Sequence, residues 1–256
     1  MPPFAVNIDF DRVSEFYDLY VNATFDLRFW INVARRAPAP RLELMCGTGR
    51  ITLPILAAGL DVEGLDYSTA LLTVFRRKLA VENLTTTLQL ADARDFGLGR
   101  KYGLIFIGFH SIAEVVDDDD KLRVFRTVRR HLAADGVFWV SLHNPPQRRA
   151  ALDGRLVDLG HYRVPLGDEQ VHVTGCYELD AQTGIATGTQ VYRCWRAGQI
   201  TRCVELPMGF HLLTPERLDT LLATAGLTVV DRLGDYAGSA FDAATSPYYV
   251  ACCRGA

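Results

Sequence analysis

One short loop, at the end of an apolar run, constrains this chain more than any other feature. Residues 42–49 read L-E-L-M-C-G-T-G, so Gly47 and Gly49 closely follow a strand predicted over 41–45. Glycine permits a left-handed backbone and lets a ligand approach closely, because it has no Cβ. A helix predicted from Arg50 presents free N–H groups at the same point. The loop therefore favours an open α/β sheet that binds a nucleotide-type cofactor at the carboxyl ends of its strands.

Apolar runs alternate with amphipathic segments as far as residue 143. Strands are predicted over 41–45, 61–65, 86–90, 102–108 and 137–143, and helices over 50–58, 68–82 and 119–132. Ser68 is a predicted helix N-cap, and Gly59 and Gly136 follow helices, where a left-handed residue is favoured. Alternation of this kind indicates a parallel, doubly wound sheet.

The alternation of strands and helices stops after residues 144–146. Upstream of the first strand, residues 11–37 are predicted to be mostly helical. Three further strands, predicted over 170–179, 185–195 and 200–211, are joined by short loops that contain glycine. This spacing is typical of an antiparallel meander. Thr214 then caps a helix that ends before Gly226, and strands over 227–233 and 248–253 complete the pattern.

The motif at residues 42–49, and the order of the motifs that follow it, resemble those of class I S-adenosylmethionine (SAM) dependent methyltransferases. The family pattern is acidic-x-Gly-x-Gly-x-Gly, and its positions here are Glu43, Met45, Gly47 and Gly49. Met45 stands where a glycine is usual, close to where the methionine portion of the cofactor is expected.

Further family landmarks follow in order. Asp66, in G-L-D-Y-S, matches the acidic residue that binds the ribose hydroxyls, and Asp92, in L-A-D-A-R-D-F, matches the residue that binds the adenine amino group. Residues 109–112 match the segment that flanks the reaction centre. The resemblance implies a cofactor site formed by Glu43, Met45, Cys46, Gly47, Gly49, Asp66, Tyr67, Asp92, Ala93, Phe109 and Tyr17.

The resemblance also implies a fold and a division of the chain. We expect an α/β, Rossmann-like, seven-stranded, mostly parallel sheet with a C-terminal antiparallel pair. An antiparallel β cap is inserted after the fifth strand. Residues 1–145 and 212–256 would form the SAM-binding core, with 1–40 as an N-terminal helical lid. Residues 146–211 would form the cap and substrate region.

The acidic candidates have alternatives that the sequence leaves open. Glu43 lies in an otherwise apolar strand, where an unpaired buried charge is costly. Pairing with the cofactor's ammonium group would remove that cost, and so would pairing with an arginine. Asp66 also suits a turn or a helix cap near Ser68, and Asp95 competes with Asp92 as the loop carboxylate.

Candidate catalytic and substrate residues come from the strand ends and the aromatic side chains. His110 and His143 follow predicted strands, so each is a candidate base or a histidine bonded to loop backbone. Tyr17 and Tyr20 resemble tyrosines that close over cofactor and substrate in related small-molecule enzymes, with core packing as the alternative. The substrate-binding candidates are Tyr20, Asn144, Tyr162, Trp195 and Tyr236.

Composition argues against several classes of protein. The net charge of −3 provides no field for nucleic acid or an anionic membrane, and 49% apolar residues suffice for a core. No secretory signal and no C-x-x-C pair occur among the 6 cysteines, so we expect a cytoplasmic protein without a metal site. The acidic run 117–120 precedes a helix and reads as its cap rather than as a magnesium site.

The leading functional prediction is SAM-dependent methyl transfer to a small molecule. The cap resembles those of amino-sugar and glycine-type N-methyltransferases, so an amine acceptor from natural-product metabolism is expected. Such caps sometimes form dimer contacts, which leaves a homodimer open. An O-methyltransferase with a histidine base, an NAD-dependent oxidoreductase and a non-catalytic SAM-binding protein are the alternatives. The oxidoreductase pattern G-x-G-x-x-G lacks its third glycine here, at Thr52.

Overall fold

The computed structural model describes residues 7–164 and 168–256, which form two sheets flanked by helices. The strands are β1 (Arg41–Leu44), β2 (Glu63–Asp66), β3 (Leu88–Leu90), β4 (Tyr102–Ile107), β5 (Leu132–His143), β6 (Asp153–Arg163), β7 (Gln170–Leu179), β8 (Ile185–Arg196), β9 (Gln199–His211), β10 (Leu227–Leu233) and β11 (Tyr248–Gly255). The α-helices are α1 (Tyr17–Tyr20), α2 (Leu27–Arg36), α3 (Thr52–Ala57), α4 (Thr69–Glu82), α5 (Asp118–His131), α6 (Pro145–Arg148) and α7 (Pro215–Thr224). Short 3-10 turns span Phe10–Val13, Ser111–Glu114 and Arg149–Ala151.

The larger sheet has the strand order β10-β11-β5-β4-β1-β2-β3. Strands β3, β2, β1, β4 and β5 are parallel, whereas β11 runs antiparallel to both β5 and β10. The chain leaves β1 toward β2 and returns on its other side with β4, so the strand order reverses between β1 and β4. Ligands of open α/β sheets bind outside the carboxyl ends of the strands at such a reversal.

Helices cover both faces of this sheet, and the central strands alternate between the two layers. Helices α2, α3 and α4 pack against Leu104 and Phe106 of β4. Helices α5 and α7 pack against the opposite face, where Ile105 and Ile107 of the same strand point. Every residue of β4 is buried, as expected for a parallel strand that is covered on both sides.

Capping side chains fix the beginnings of three helices as the sequence predicts. The Ser68 hydroxyl accepts from the backbone N–H of Leu71 at α4, and Thr214 caps α7 in the same way. At α5, the Asp117 carboxylate accepts from two backbone N–H groups, so the acidic run begins a helix.

Strands β6 to β9 form the second, antiparallel sheet, which we call the cap sheet. Residues 7–20, which we call the N-terminal strap, lie between this sheet and α4. Phe10, Val13 and Phe16 of the strap form one apolar cluster with Val171 and Tyr192 of the cap sheet. The strap therefore joins the cap sheet to the larger sheet.

The predicted fold class is confirmed, including the antiparallel pair at the end and the inserted antiparallel strands. Three details differ from the sequence predictions. The cap sheet contains a fourth strand, β6, which the hydrophobic pattern did not indicate. Gly136 lies inside β5 without a left-handed φ, because β5 begins at Leu132 directly after α5. The upstream helical stretch is interrupted by residues 21–26 between α1 and α2.

The described helices are short compared with the thickness of a bilayer. The longest described helices, α4 and α5, have 14 residues each. No helix in the described ranges combines the length and apolarity that crossing a bilayer requires.

Candidate functional site

The loop after β1 is held in a left-handed conformation at three positions. The φ angles are 58° at Met45, 54° at Gly47 and 82° at Gly49. Met45 thus adopts the backbone that the family's usual glycine would favour. A Cβ on Gly49 would come within 2.3 Å of the Phe75 ring, so glycine lets the loop pack directly on α4.

Cys46 contributes backbone rather than side chain to this loop. It is buried, and its sulfur lies so close to Gly64 of β2 that a Cβ on that glycine would be 2.8 Å away. Burial raises the pKa of the Cys46 thiol well above its ordinary value. The side chain therefore packs against the neighbouring strand as a small apolar group.

Asp66, at the end of β2, connects the glycine loop to the beginning of α4. Its carboxylate accepts from the backbone N–H of Gly47 at 2.8 Å and from that of Ser68 at 2.9 Å. Only 5% of the residue is exposed, and burial raises its pKa. Each carboxylate oxygen has a further lone pair, so Asp66 can still accept from ligand hydroxyls. The turn and ligand interpretations of this residue are therefore compatible.

Glu43 is a buried carboxyl beneath the same loop. It accepts a hydrogen bond from the Thr52 hydroxyl, and burial raises its pKa to about 8. Arg50, the nearby arginine, instead forms a bidentate pair with Asp26 at 2.6 and 2.7 Å. In the described parts of the chain, no lysine or arginine is ion-paired with Glu43, which leaves it available to a cationic ligand.

The N-terminal strap lies across the loop. The Tyr67 hydroxyl donates to the carbonyl of Ile8, and the Thr48 hydroxyl donates to Asp18 at 2.5 Å. The Tyr17 ring lies against Gly47, where its hydroxyl would be 3.7 Å from an added Cβ. Tyr17 and Tyr67, both predicted cofactor residues, therefore lie near the glycine loop.

Asp92 lies at the same edge of the sheet, and its carboxylate is already ion-paired. The Asp92 carboxylate accepts from the guanidinium and the backbone N–H of Arg94, whose side chain also contacts Asp120 at 2.7 Å. Burial alone would raise the pKa of Asp92, but these hydrogen bonds hold it below its ordinary value. Ala93 is buried in the core, and Asp95 is exposed beside Arg130. Of the two carboxylates, Asp92 is the one tied into the loop.

The rings of the two candidate histidines lie in contact, tilted by 37°, at the ends of β4 and β5. The ring centroids of His110 and His143 are 3.9 Å apart. Both ring nitrogens of His110 are buried without a hydrogen-bond partner among the described residues. Burial, with the nearby His143, holds the pKa of His110 well below its ordinary value. Burial and the charge of Arg148 lower the pKa of His143 to about 4.

The backbone that presents His110 is unusual. Phe109 and His110 have φ angles of 51° and 63°, although neither is glycine. Consecutive left-handed residues of this kind cost roughly 1–3 kcal/mol each and persist where the surroundings enforce them, often at functional sites. Here the Arg50 guanidinium lies 4.1 Å from the centre of the Phe109 ring.

Aromatic side chains enclose the histidine pair on one side. Tyr248 stacks 5.0 Å from His110, Tyr236 lies 6.3 Å from it, and Phe25 contacts both tyrosines at 5.6 Å. The Tyr236 hydroxyl is buried without a hydrogen-bond partner among the described residues. Beyond these rings a cleft of about 1090 Å³ opens between α2 and β5, β10 and β11. Its described lining residues do not include the glycine loop, so we do not assign it to the cofactor.

On the other side of the histidine pair, tyrosines lie at the inner face of the cap sheet. We call Tyr20, Tyr162, Tyr177 and Tyr192, together with Gln190, the tyrosine group. Gln190 donates to the Tyr177 hydroxyl and accepts from the Tyr192 hydroxyl, each at 2.7 Å. Tyr20 and Tyr162 lie close to these three residues, and burial raises the pKa of both. The predicted substrate residues Tyr20 and Tyr162 are therefore brought together.

Two other predicted substrate residues lie elsewhere. Trp195 is 6.1 Å from His172, which is on the side of β7 opposite the apolar Val171 and Val173. Asn144 donates both amide hydrogens, to the carbonyls of Ala243 and Ser246 at 3.0 and 2.8 Å. These two hydrogen bonds hold the loop at residues 243–246 against Asn144. Neither Trp195 nor Asn144 lies in the tyrosine group.

Sequence reasoning missed two charged residues of the site. Glu114 follows β4, and burial together with the charge of Asp66 raises its pKa to about 8. Arg148, at the end of α6, has a buried Nε without a hydrogen-bond partner among the described residues. The signal for Glu114 was a lone acidic residue in the apolar stretch after β4. Arg148 had no comparable signal.

Comparisons with known proteins agree with this geometry. Residues 42–136 match the family model described as a methyltransferase domain. A curated relative, the dTDP-3-amino-3,6-dideoxy-alpha-D-glucopyranose N,N-dimethyltransferase of Streptomyces fradiae, is 28% identical over 134 residues. That match covers 49% of this chain and 51% of the relative, so the chain spans about half the relative's length.

Two solved structures resemble nearly the whole chain. The CcbJ methyltransferase from Streptomyces caelestis matches with a TM-score of 0.78 at 26% identity, covering 96% of this chain and 98% of that one. The sugar N-methyltransferase KedS8 from Streptoalloteichus sp ATCC 53650 matches with a TM-score of 0.72 at 24% identity, covering 93% and 92%. The second likeness concerns the fold alone. Together, the matches confirm the resemblance to methyltransferases that was drawn from the motifs.

Proposed function

We propose that this chain, a class I SAM-dependent methyltransferase that resembles amino-sugar N-methyltransferases, methylates an amine nitrogen of a small molecule in secondary metabolism. The curated relative from Streptomyces fradiae is named for methylation of an amino sugar. The observation that supports the choice of an amine is the histidine pair at the ends of β4 and β5, in which His110 is buried and His143 half-buried.

The residues around the glycine loop fit a cationic nucleoside cofactor. Glu43 offers a buried carboxyl that has no ion-pair partner in the described ranges, and Asp66 offers free lone pairs beside the backbone of Gly47. Tyr17 covers the loop from the strap. When bound, SAM supplies a methyl group already activated by its positive sulfonium. The protein's task is then to position the acceptor, which can supply roughly 7–11 kcal/mol of the barrier.

The histidine pair supports an amine over an alcohol. An alcohol must lose its proton as it attacks, so it needs a base whose pKa lies near the working pH. His143, with a pKa of about 4, and His110, with a pKa held lower than usual, are poor bases at neutral pH. A neutral amine attacks without prior loss of a proton, and these uncharged rings would allow it to remain neutral.

We assign to Glu114 the removal of a proton from the ammonium form of the acceptor, whose nitrogen must become neutral before it attacks. Glu114 is a half-buried carboxyl whose charge interacts with that of Asp66, and its pKa of about 8 lies near neutrality, as a general base requires. The Glu114 charge also contributes, after burial, to the raised pKa of the Tyr17 and Tyr67 hydroxyls. This position joins the predicted cofactor residues to the segment after β4.

The tyrosine group is proposed as the substrate chamber. Tyr20, Tyr162, Tyr177 and Gln190 offer hydroxyl and amide groups that suit a polyhydroxylated acceptor, and Arg148 lies beside them. Residues 1–145 and 212–256 would form the cofactor-binding core, with 1–40 as its lid, and 146–211 the substrate cap. Residues 1–6 and 165–167 of these units lie outside the described ranges.

The test is methyl transfer from isotopically labelled SAM to two matched sets of acceptors. One set contains free and nucleotide-linked amino sugars, and the other contains the same sugars with hydroxyl in place of the amine. We expect transfer to members of the amine set. His143→Ala should leave this activity within about tenfold, whereas loss of a true base costs roughly 10²–10⁴-fold.

Glu114→Gln distinguishes catalysis from packing. We expect kcat to fall by roughly 10²-fold, with little change in the KM for SAM and with loss of the ionisation near pH 8 from the pH profile. Transfer only to the hydroxyl set, abolished by His143→Ala, would establish the O-methyltransferase alternative. SAM binding without transfer to any acceptor would favour a non-catalytic role.

A further inference from the structure

Three side chains converge on the cap sheet, away from the glycine loop. His161 of β6 lies directly opposite His172 of β7, and their rings stack with centroids 3.8 Å apart and planes 8° apart. The Asp158 carboxylate lies 3.1 Å from Nε2 of His172 and 3.7 Å from Nε2 of His161. One ligand atom from each of the three residues lies within 4.8 Å of the others. We call this group the histidine–aspartate cluster.

A bulge in β6 brings the third residue to the cluster. In a regular strand, residues three apart point to opposite faces, so Asp158 and His161 would be separated. The register with β7 shifts between Asp158 and Gly160, and Gly160 has a φ of 124°. A bulge of this kind redirects side chains. It places the carboxylate on the face that carries both imidazoles.

We propose that the histidine–aspartate cluster binds a divalent transition-metal cation of the Zn²⁺ class. Bonds of 2.0–2.2 Å to tetrahedral zinc would place ligand atoms about 3.3 Å apart. The separation of 3.1 Å between His172 Nε2 and Asp158 Oδ1 and that of 3.7 Å between His161 Nε2 and Asp158 Oδ2 are each close to that spacing. Two imidazoles and one carboxylate suit such a cation, whereas Mg²⁺ and Ca²⁺ prefer oxygen ligands throughout. A fourth position is open to water, because Asp158 and His161 are exposed.

A bound cation would link the edge strand β6 to its neighbour β7. Within residues 7–164 and 168–256, strand β6 pairs only with β7, and most of its residues are exposed. Tyr162, which follows His161, points the other way and packs in the cluster that contains Val171 and Tyr192. A cation joining β6 to β7 would therefore hold the strand that supplies Tyr162 to the cap's inner face.

The test is calorimetric titration of the full chain, without a histidine tag, with Zn²⁺ alone. We expect one ion per chain, and binding weaker by more than about tenfold in His161→Ala, His172→Ala and Asp158→Asn. Cys203→Ser, which removes an exposed thiol, is the matched control and should bind as the original chain does. The Tm should rise with Zn²⁺ in the original chain and in Cys203→Ser, but not in His161→Ala.

Cobalt provides an independent readout, because Co²⁺ bound by nitrogen and oxygen ligands lacks the charge-transfer band that a thiolate ligand gives. We expect the visible spectrum of bound Co²⁺ without that band, and we expect this spectrum to disappear in His172→Ala. Equal melting temperatures of all variants in chelator would show that they fold alike. Absence of binding, unchanged binding in the three ligand variants, or a thiolate band would each overturn the proposal.

Discussion

A side chain at position 49 would be unfavourable for two reasons, and each adds an energetic cost. Its φ of 82° is a left-handed angle that costs other residues about 1–2 kcal/mol. A Cβ there would also lie 2.3 Å from the Phe75 ring. We expect Gly49→Ala to reduce the free energy of unfolding by about 2–5 kcal/mol, since overpacking adds about 1–3 kcal/mol. Urea unfolding measures the loss.

Gly59→Ala is the matched control for this substitution. Gly59 has a φ of 75°, but nothing lies within 4 Å of an added Cβ. The control should therefore lose only the backbone cost of about 1–2 kcal/mol. Equal losses in the two variants would mean that contact with Phe75 does not constrain the loop.

Single residues also show what the sequence could and could not predict about the site. Asp66 and Gly47 were predicted from motifs, and the structure brings them together because parallel strands end at one edge. Tyr17 was predicted from its resemblance to tyrosines of related enzymes, and it reaches Gly47 from the N-terminal strap. Glu114 was missed because one carboxylate in an apolar stretch has no repeat or spacing to mark it. The His161–His172 pairing depends on strand register across a bulge, which the sequence pattern does not determine.

At the scale of elements, the buried pair between Arg50 and Asp26 holds residues 21–26 against the beginning of α3. Asp26 is fully buried and also accepts from the Trp30 ring N–H at 3.2 Å. Asp26→Ala would leave Arg50 without its carboxylate partner. We expect a loss of about 3–5 kcal/mol in the free energy of unfolding, measured by urea denaturation.

An exposed ion pair provides the control for that prediction. Arg202 contacts Glu15 at 2.6 Å, with 41% and 54% of the two side chains exposed. Glu15→Ala should therefore cost only about 0–1 kcal/mol. If Asp26→Ala were as mild as Glu15→Ala, the buried pair would not be what fastens this segment.

The elements themselves were largely predictable, and the exceptions have physical causes. Strands β1, β4 and β8 carry continuous or alternating apolar residues, so their patterns were readable. Strand β6 was missed because it is an exposed edge strand with two bulges and two left-handed glycines, which destroy the alternation. The pair between Asp26 and Arg50 joins residues 24 positions apart, beyond any local pattern.

At the scale of the whole molecule, cofactor binding should be coupled to pH. Glu43 has a pKa raised to about 8, so it is mostly protonated at neutral pH without ligand. A cation binds the ionised carboxylate better, so binding should release protons. We expect the affinity for SAM to rise more than about tenfold between about pH 6 and pH 7.5.

The histidines should not obscure this effect. In the folded chain His143 has a pKa of about 4 and His110 is also held low, so both are neutral throughout the range. Calorimetry in two buffers with different ionisation enthalpies would count the protons released. Glu43→Gln should flatten the pH dependence. Unchanged proton release in that variant would show that Glu43 does not face the cofactor.

Calorimetric titration with SAM, S-adenosylhomocysteine and NADH tests most directly whether the loop after β1 and Asp66 hold SAM. Asp66→Asn is compared with Asp95→Asn, which alters an exposed carboxylate. We expect micromolar binding of both sulfur compounds, weakened more than about tenfold only in Asp66→Asn, and no binding of NADH. Binding of NADH alone, or equal SAM affinity in both variants, would contradict this assignment.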